Sequence, residues 1–309
     1  MIGTITLNPS IDQNWIVPDL VKDDTNRAKT MIETPGGKGV NVSKVVRELG
    51  GKTRAYALLG GWTGQHLERL VRPLDFPLVS VRIHGNTRVN AVLTDLKDDT
   101  QTRVSAPGPR VRAGELEGFI RLLCRVRPRP DWWVFGGSLP RDLAPSTYRE
   151  LIRTLQQKGT PCVLDTDNEA LEQGVRAKPF MIKPNEFEMQ RLCGRRLRRL
   201  EDHAREAARL AKNGIRLVVV SLAERGALFV TADRAFHVAA PKVRVRSQVG
   251  AGDSLIGGIL CGLERKMPLQ RAARLGVASS TSCVMREAPR LCRRADIPRI
   301  LERLNVREL

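Results

Sequence analysis

Short apolar runs of strand length alternate along the chain with stretches whose apolar residues recur every three or four positions. "IGTITLN" opens as a strand. "GVNVSKVVREL" (Gly39 to Leu49) places Val42, Val45, Val46 and Leu49 on one helix face. "RAYALLG" predicts a strand, followed by a helix near Thr63 to Val71. "DWWVFGGSLP" predicts a strand ending in a glycine turn, and "STYRELIRTLQQKG" a helix closed by Gly159. "TPCVLDTD" reads as a strand ending in acids, and "FMIKPNEFEMQRL" as a strand, a turn and a helix. "IRLVVVSL" is a nearly unbroken apolar strand, as expected when both faces of a sheet are covered. From about Leu269 the pattern is helical. Alternation of this kind predicts a three-layer α/β/α sandwich around a mostly parallel, doubly wound sheet. Ligands of such sheets sit at the carboxyl ends of the strands. "GGSLP", "LDTD", "KPNEFE", "VSLAERG" and "VGAGDS" all fall there.

One region breaks the rhythm. Stretches at about 10–17, 27–35 and 81–105 read as short strands with polar turns. The alternation in "TRVNAVLTD" suggests a sheet with one face open. These excursions predict a small β lid carried by a single domain spanning 1–309, with no internal repeat or long linker.

Composition narrows the setting. No apolar run reaches the about 18 residues of a membrane span. "MIGTITLNPSID" has neither a basic start nor a cleavable apolar stretch, which predicts no signal peptide and a cytoplasmic protein. The six cysteines show no CxxC pair, and their spacing fits free thiols better than a disulfide framework or a zinc site. The 52 Lys+Arg against 33 Asp+Glu give a net charge of +19, which attracts anions. Nucleic acid is the obvious partner to consider. With four Trp, two Tyr and seven Phe, however, the chain has few platforms for stacking bases. A basic surface around a site for small anions is the favoured reading, with nucleic acid an unlikely partner.

Four clusters could carry chemistry. "VGAGDS" is neither a Walker loop nor GxGxxG; it is a glycine turn opening a helix. The free N–H groups of Gly250, Ala251 and Gly252, with the positive end of the helix dipole, would form an anion hole. Asp253 beside them would suit removal of a proton from an attacking hydroxyl. A simple helix cap by Asp253 or Ser254 remains equally open on this motif alone. In "TPGGKGVNVSK", Gly36, Gly37 and Gly39 permit close backbone approach, Lys38 adds a charge and Asn41 could meet a polyol; a plain glycine turn with a surface lysine is the alternative. "NTRVN" puts Arg88 and Asn90 on one strand face, a guanidinium for phosphate and an amide for hydroxyls. Asp12 in "NPSID" offers two acceptors to a diol, although a lone turn aspartate is usually structural. In "KPNEFEM", Lys183 and Asn185 end a strand. Asn185 and Glu188 could orient water around Mg²⁺, form a capping box, or do both.

Taken together, "TLNPSID", "GGKGVNVSKVVRELG", "TRVN", "GGSLP", "IKPNEFEM", "VVVSLAERGALFV" and "VGAGDSLIGG" resemble, in this order, the motifs of ribokinase-like (PfkB-type) carbohydrate kinases. They lie nearest the hexose-phosphate branch, which holds 1-phosphofructokinases, tagatose-6-phosphate kinases and minor 6-phosphofructokinases. The resemblance covers almost the whole chain. It implies the ribokinase-like fold, a β lid often used for homodimerisation, and transfer of phosphoryl from Mg-ATP to a sugar hydroxyl. It implies that Asp253 is the base and Gly250, Ala251 and Gly252 the anion hole. Asp12, Gly37, Lys38, Asn41, Arg88, Asn90 and Ser138 correspond to contacts with the sugar phosphate, Lys38 and Arg88 anchoring its existing phosphate. Lys183, Asn185, Ser221 and Gly226 correspond to the ATP side, with Glu188 toward Mg²⁺. Arg27 and Arg103 are further phosphate candidates.

Two departures from the family pattern stand out. "SLAERG" has Ala223 where the family reads glycine; a positive φ there would cost about 1 kcal/mol and weaken ATP binding. "VMREAPRL" lacks the family's glycine beside the adenine pocket, so no residue is carried over there. The implied acceptor is a ketohexose phosphate. "TRVN" favours fructose 1-phosphate, giving the 1,6-bisphosphate, while Arg103 would suit fructose 6-phosphate or tagatose 6-phosphate. A non-catalytic nucleic-acid binder on a kinase scaffold is the rival from another class.

Overall fold

The computed structural model describes all 309 residues, Met1–Leu309. In chain order, β1 (Ile2–Thr6), β2 (Ser10–Val17) and β3 (Thr30–Gly36) lead into α1 (Lys38–Glu48). Then come β4 (Thr53–Gly60), α2 (Gly61–Val71), β5 (Leu78–Ile83), β6 (Arg88–Asp95) and β7 (Thr100–Val104). The middle of the chain holds α3 (Ala113–Arg125), β8 (Trp132–Gly136), α4 (Thr147–Gln156), β9 (Cys162–Asp165), α5 (Asn168–Val175), β10 (Met181–Ile182), α6 (Glu186–Cys193) and α7 (Leu200–Lys212). The last part comprises β11 (Leu217–Ser221), β12 (Ala227–Val230), β13 (Ala235–Ala239), α8 (Ala251–Glu264), α9 (Leu269–Val284), α10 (Ile297–Leu301) and β14 (Asn305–Glu308).

Ten strands form one sheet in the order β14-β13-β12-β11-β10-β9-β8-β1-β4-β5. From β11 to β5 every pair is parallel, while β12, β13 and β14 add on antiparallel. Helices cover both faces, giving the ribokinase-like α/β fold. The period-two geometry of a strand explains why the central strands are apolar throughout. In β11, Val218 and Val220 enter the core under α3 to α7, whereas Leu217 and Val219 enter the core under α1, α8, α9 and α10. Likewise, Tyr56 and Leu58 of β4 face the first of these cores, and Ala55, Ala57 and Leu59 face α2.

A second sheet of four strands has the order β3-β2-β6-β7. It takes up the stretches read as short irregular strands, with two changes of boundary. Residues 81–83 belong to β5, which pairs in parallel with β4 at the edge of the large sheet. Ile83 is buried in the main core, so that alternation served the large sheet and not the small one. The strand expected from 27 begins at Thr30. The chain also does not end in helix: Asn305–Glu308 forms β14 on the edge strand β13. Four mostly polar, exposed residues carry too little pattern to announce an edge strand.

Candidate active site

The conserved geometry of parallel sheets brings the ends of distant strands together, and a compact set of charges gathers there. Asp165 closes β9, Lys183 follows β10 directly and Ser221 closes β11. Lys38 opens α1, and Asp253 lies in the first turn of α8. The Lys38 Nζ lies 3.0 Å from Asp165 Oδ1, and the Lys183 Nζ 3.4 Å from the same oxygen. Burial opposes ionisation of Asp165, but the two ammonium groups, Lys183 first, hold its carboxyl below the usual range. Burial alone would lower the Lys38 pKa; Asp165 and then Asp253 raise it instead.

Asp253 is only 6 % exposed. Asn41, from α1, donates its Nδ2–H to Asp253 Oδ2 at 2.8 Å. Burial, reinforced by the Asp165 charge, pushes the Asp253 pKa up to about 6 despite Lys38 and Asn41. Its helix starts at Gly250, whose φ of 81° lies in the left-handed region that favours glycine. A side chain there would also strike Leu291. The N–H groups of Gly250, Gly252 and Asp253 have no hydrogen-bond partner, whereas the Ala251 N–H donates to the Gln248 carbonyl at 3.3 Å. Ala251 stands among the anion-hole donors expected from the motif, but the turn leaves it the donor least free for that task. A Cβ on Gly252 would lie 3.1 Å from the Lys183 Nζ, so this lysine stands at the mouth of the same turn.

On the small sheet, Asp12 accepts from Ser10 Oγ at 2.7 Å and from Asn90 Nδ2 at 2.7 Å, and Arg103 Nη2 lies 3.3 Å from its second oxygen. Asn90 is fully buried, and its carbonyl oxygen accepts from the Ala106 N–H. Both ends of the amide are thus engaged, and Asn90 orients Asp12. Arg88 spends Nη1 on the Ala106 carbonyl and Nη2 on that of Asn8, at 2.8 and 3.0 Å. Only its Nε remains without a partner. Arg103, 43 % exposed, is the freer guanidinium. Ser138 accepts from Asn8 Nδ2 at 3.3 Å beside the same loop, and Gly37 caps α1 just before Lys38. Arg27 lies exposed ahead of β3.

On the far side, Asn185 and Glu188 form the capping box of α6: Glu188 N–H donates to Asn185 Oδ1 and Asn185 N–H to Glu188 Oε2, both at 2.8 Å. Burial raises the Glu188 pKa. Ser221 bridges to Asn185, and Gly226 opens β12 at a φ of 92°. Ala223, in the same turn, adopts a φ of 50°. That conformation costs an alanine about 1 kcal/mol. Replacement by glycine (Ala223→Gly) is therefore expected to raise the melting temperature by about 1–2 °C. An unchanged melting curve would mean that the turn carries no strain.

Two members of this set escaped the sequence analysis. Asp165 is the hub of both lysines, and the acid-ended strand "LDTD" was its only signal. Lys44 lies two turns along α1 from Lys38 and donates to the Pro35 carbonyl. Burial lowers its pKa to about 8, with Asp12 and Asp253 opposing.

Comparison with known proteins decides what such a site belongs to. The family described as "pfkB family carbohydrate kinase" matches residues 2–295. The chain belongs to the pfkB family of carbohydrate kinases. Its relatives include the 1-phosphofructokinase of Bacillus subtilis (strain 168), 32 % identical over 287 residues, with 93 % of each chain covered. The ATP-dependent 6-phosphofructokinase isozyme 2 of Escherichia coli (strain K12) is 31 % identical over 301 residues, with 97 % of each covered. The solved structure of phosphofructokinase-2 from Escherichia coli, in complex with substrates and products, superposes with a TM-score of 0.93 at 30 % identity, covering 98 % of both chains. This pfkB kinase is accordingly a phosphotransferase acting on a sugar hydroxyl. None of its helices is long and apolar enough to cross a membrane.

Proposed function

We propose that this kinase transfers the γ-phosphoryl group of ATP to the free primary hydroxyl of fructose 1-phosphate, giving fructose 1,6-bisphosphate and ADP. The observation that carries the chemistry is the buried Asp253 beside the unpaired N–H groups of its own helix turn. A carboxylate with a pKa of about 6 is ionised at neutral pH yet basic enough to accept a proton. Asp253 takes the hydroxyl proton as the oxygen attacks phosphorus, and the bond to the ADP oxygen breaks. The N–H groups of Gly250, Gly252 and Asp253 receive the charge on the travelling group, as preorganised donors in a dry site do. Lys183, at the mouth of that turn, acts on the same group. Lys38 joins it: its ion pair with Asp165 holds it among the charges around Asp253.

Asp12, oriented by Ser10 and Asn90, takes the sugar hydroxyls. Arg103 takes the substrate's existing phosphate, while Arg88 mainly ties the loops around it. Asn185, Ser221 and Gly226 shape the ATP side. No group of three or more His, Cys, Asp or Glu side chains forms a cage for a metal. That suits Mg²⁺, which keeps several waters and leans on substrate phosphates. Glu188, with Oε2 engaged by a backbone N–H, would hold it through water, and the ion would neutralise phosphate oxygens. The small sheet acts as a lid that excludes competing water. Met31, Ile32 and Val104 expose apolar surface on it, which supports a homodimer formed through this sheet.

The names of several relatives favour fructose 1-phosphate, but one relative is a 6-phosphofructokinase. Coupled ADP release should be measured with fructose 1-phosphate, fructose 6-phosphate, tagatose 6-phosphate and fructose. The highest kcat/KM is expected for fructose 1-phosphate. A preference for either 6-phosphate would reassign the acceptor, and no ADP release with any of the four would overturn the kinase reading of the site.

A further inference from the structure

One cation stands between the sugar side of the candidate active site and the base. Asn41 and Lys44 are three residues apart on α1 and so share a face. The Lys44 Nζ donates to the Pro35 carbonyl and lies 3.4 Å from Asn41 Oδ1. The other end of the same amide donates to Asp253 Oδ2 at 2.8 Å. An ammonium offers only donors and a carboxylate only acceptors, so an amide between them satisfies both in one orientation alone. Flipping Asn41 would turn its carbonyl oxygen on the carboxylate and its N–H groups on the ammonium. The contact with Lys44 is long, and its hold is that of a charge on the amide dipole. Pro35 connects the same lysine to the sugar side. It precedes Gly36 at the end of β3, and a side chain on Gly36 would strike the Asp12 carboxylate. Lys44 is half-buried, and the charges that offset its burial are Asp12 from β2 and Asp253 from α8. Turning an ammonium inward without a direct counterion is costly.

We propose that Lys44 is a positioning residue for phosphoryl transfer: it fixes the Asn41 amide so that its N–H meets the Asp253 carboxylate, and through Pro35 it holds the end of β3 against Asp12, setting the sugar hydroxyls against the base. This role presupposes Asp253 as the base. Its consequence is electrostatic as well as geometric. Asp165 disfavours the charge on Asp253, whereas Lys38, Asn41 and Lys183 favour it. Losing the oriented Asn41 N–H together with the Lys44 charge leaves the carboxylate easier to protonate.

Lys44→Met keeps the apolar stem and removes the charge and the donors. Coupled ADP release is measured across pH with whichever of fructose 1-phosphate, fructose 6-phosphate and tagatose 6-phosphate gives the highest kcat/KM. The variant is expected to lower the plateau kcat about tenfold and to move the acid limb above the wild-type midpoint of about 6. Its KM for the sugar phosphate should rise more than that for ATP; equal changes would overturn the link to Asp12. Lys44→Arg restores charge and donors and should return the limb to its wild-type position. In an Asn41→Ala background, Lys44→Met should lower the plateau kcat no further. Should Lys44→Met fail to fold, Lys44→Gln, uncharged but still a donor, carries the same expectation for the limb. An acid limb that stays in place in the uncharged variant, or effects of Asn41→Ala and Lys44→Met that simply multiply, would overturn the proposal. The base is tested apart from Lys44. Near-normal kcat in Asp253→Asn would remove the base and this role with it, whereas a collapsed kcat there beside a normal Lys44→Met profile counts against Lys44 alone.

Discussion

Asp253→Asn is expected to lower kcat by roughly 10²–10⁴ while leaving both KM values nearly unchanged, because asparagine keeps the shape but cannot accept the proton. The same substitution should stabilise the protein at alkaline pH. The native pKa of Asp253 is raised from 3.8 to about 6, so the folded state binds the proton more tightly than the unfolded state. Its ionisation therefore costs the fold nothing below the unfolded pKa. The cost grows as pH rises from there and is complete above about 6. The shift corresponds to a penalty of at most about 3 kcal/mol. Part of it is offset in the variant, since Lys38 and Lys183 lose a neighbouring charge. A melting temperature higher by a few degrees at pH 8, with the gain shrinking toward pH 5, is the expected pattern. The kcat of the wild type should fall on the acid side with a midpoint near the same pKa, about 6. A variant with near-normal kcat would remove Asp253 from the chemistry. One that melts lower at pH 8 would refute the account of its burial.

The sequence exposed what depends on local pattern. Short, nearly unbroken apolar runs located the strands of the large sheet, and the valines of α1 announced its buried face. The glycine turn before Asp253 was legible because Gly250 needs a positive φ and the helix after it is apolar. What stayed hidden depends on partners far away in the chain. Arg88 and Asn90 do share a strand face, but nothing in "TRVN" says that the carbonyls of Asn8 and Ala106 and the carboxylate of Asp12 will engage them. The acids of "LDTD" looked alike; only the meeting of α1 with the end of β10 singles out Asp165. Residues 81–83 alternate as a lid strand would, and it is their pairing with β4 that assigns them to the other sheet. At Ala223 the converse holds: a single departure from a glycine pattern foretold a left-handed residue, because backbone geometry is a local demand.

Asp165→Asn should be the most destabilising single change at the site. The carboxylate is 2 % exposed and serves as counterion to two ammonium groups, Lys38 and Lys183. Asparagine fills the same volume, so neither a cavity nor a clash contributes. Removing one partner from a buried ion pair typically costs about 3–5 kcal/mol, much of it from the charge left behind. For a chain of this length that is a fall of about 5–8 °C in melting temperature. The pH dependence has the opposite sign to that of Asp253. The Asp165 pKa is lowered in the folded state, so its contribution is present above the unfolded pKa and is lost as pH falls through the folded value. The deficit of the variant should thus persist across neutral pH and narrow only in acid. A second readout separates electrostatics from mere loosening. Asp165 is one cause of the raised Asp253 pKa, so without it the acid limb of the kcat profile should move to lower pH. A variant that melts like the wild type would show that the two lysines find other partners. One that melts lower but keeps the acid limb in place would show that Asp253 owes its basicity to burial alone.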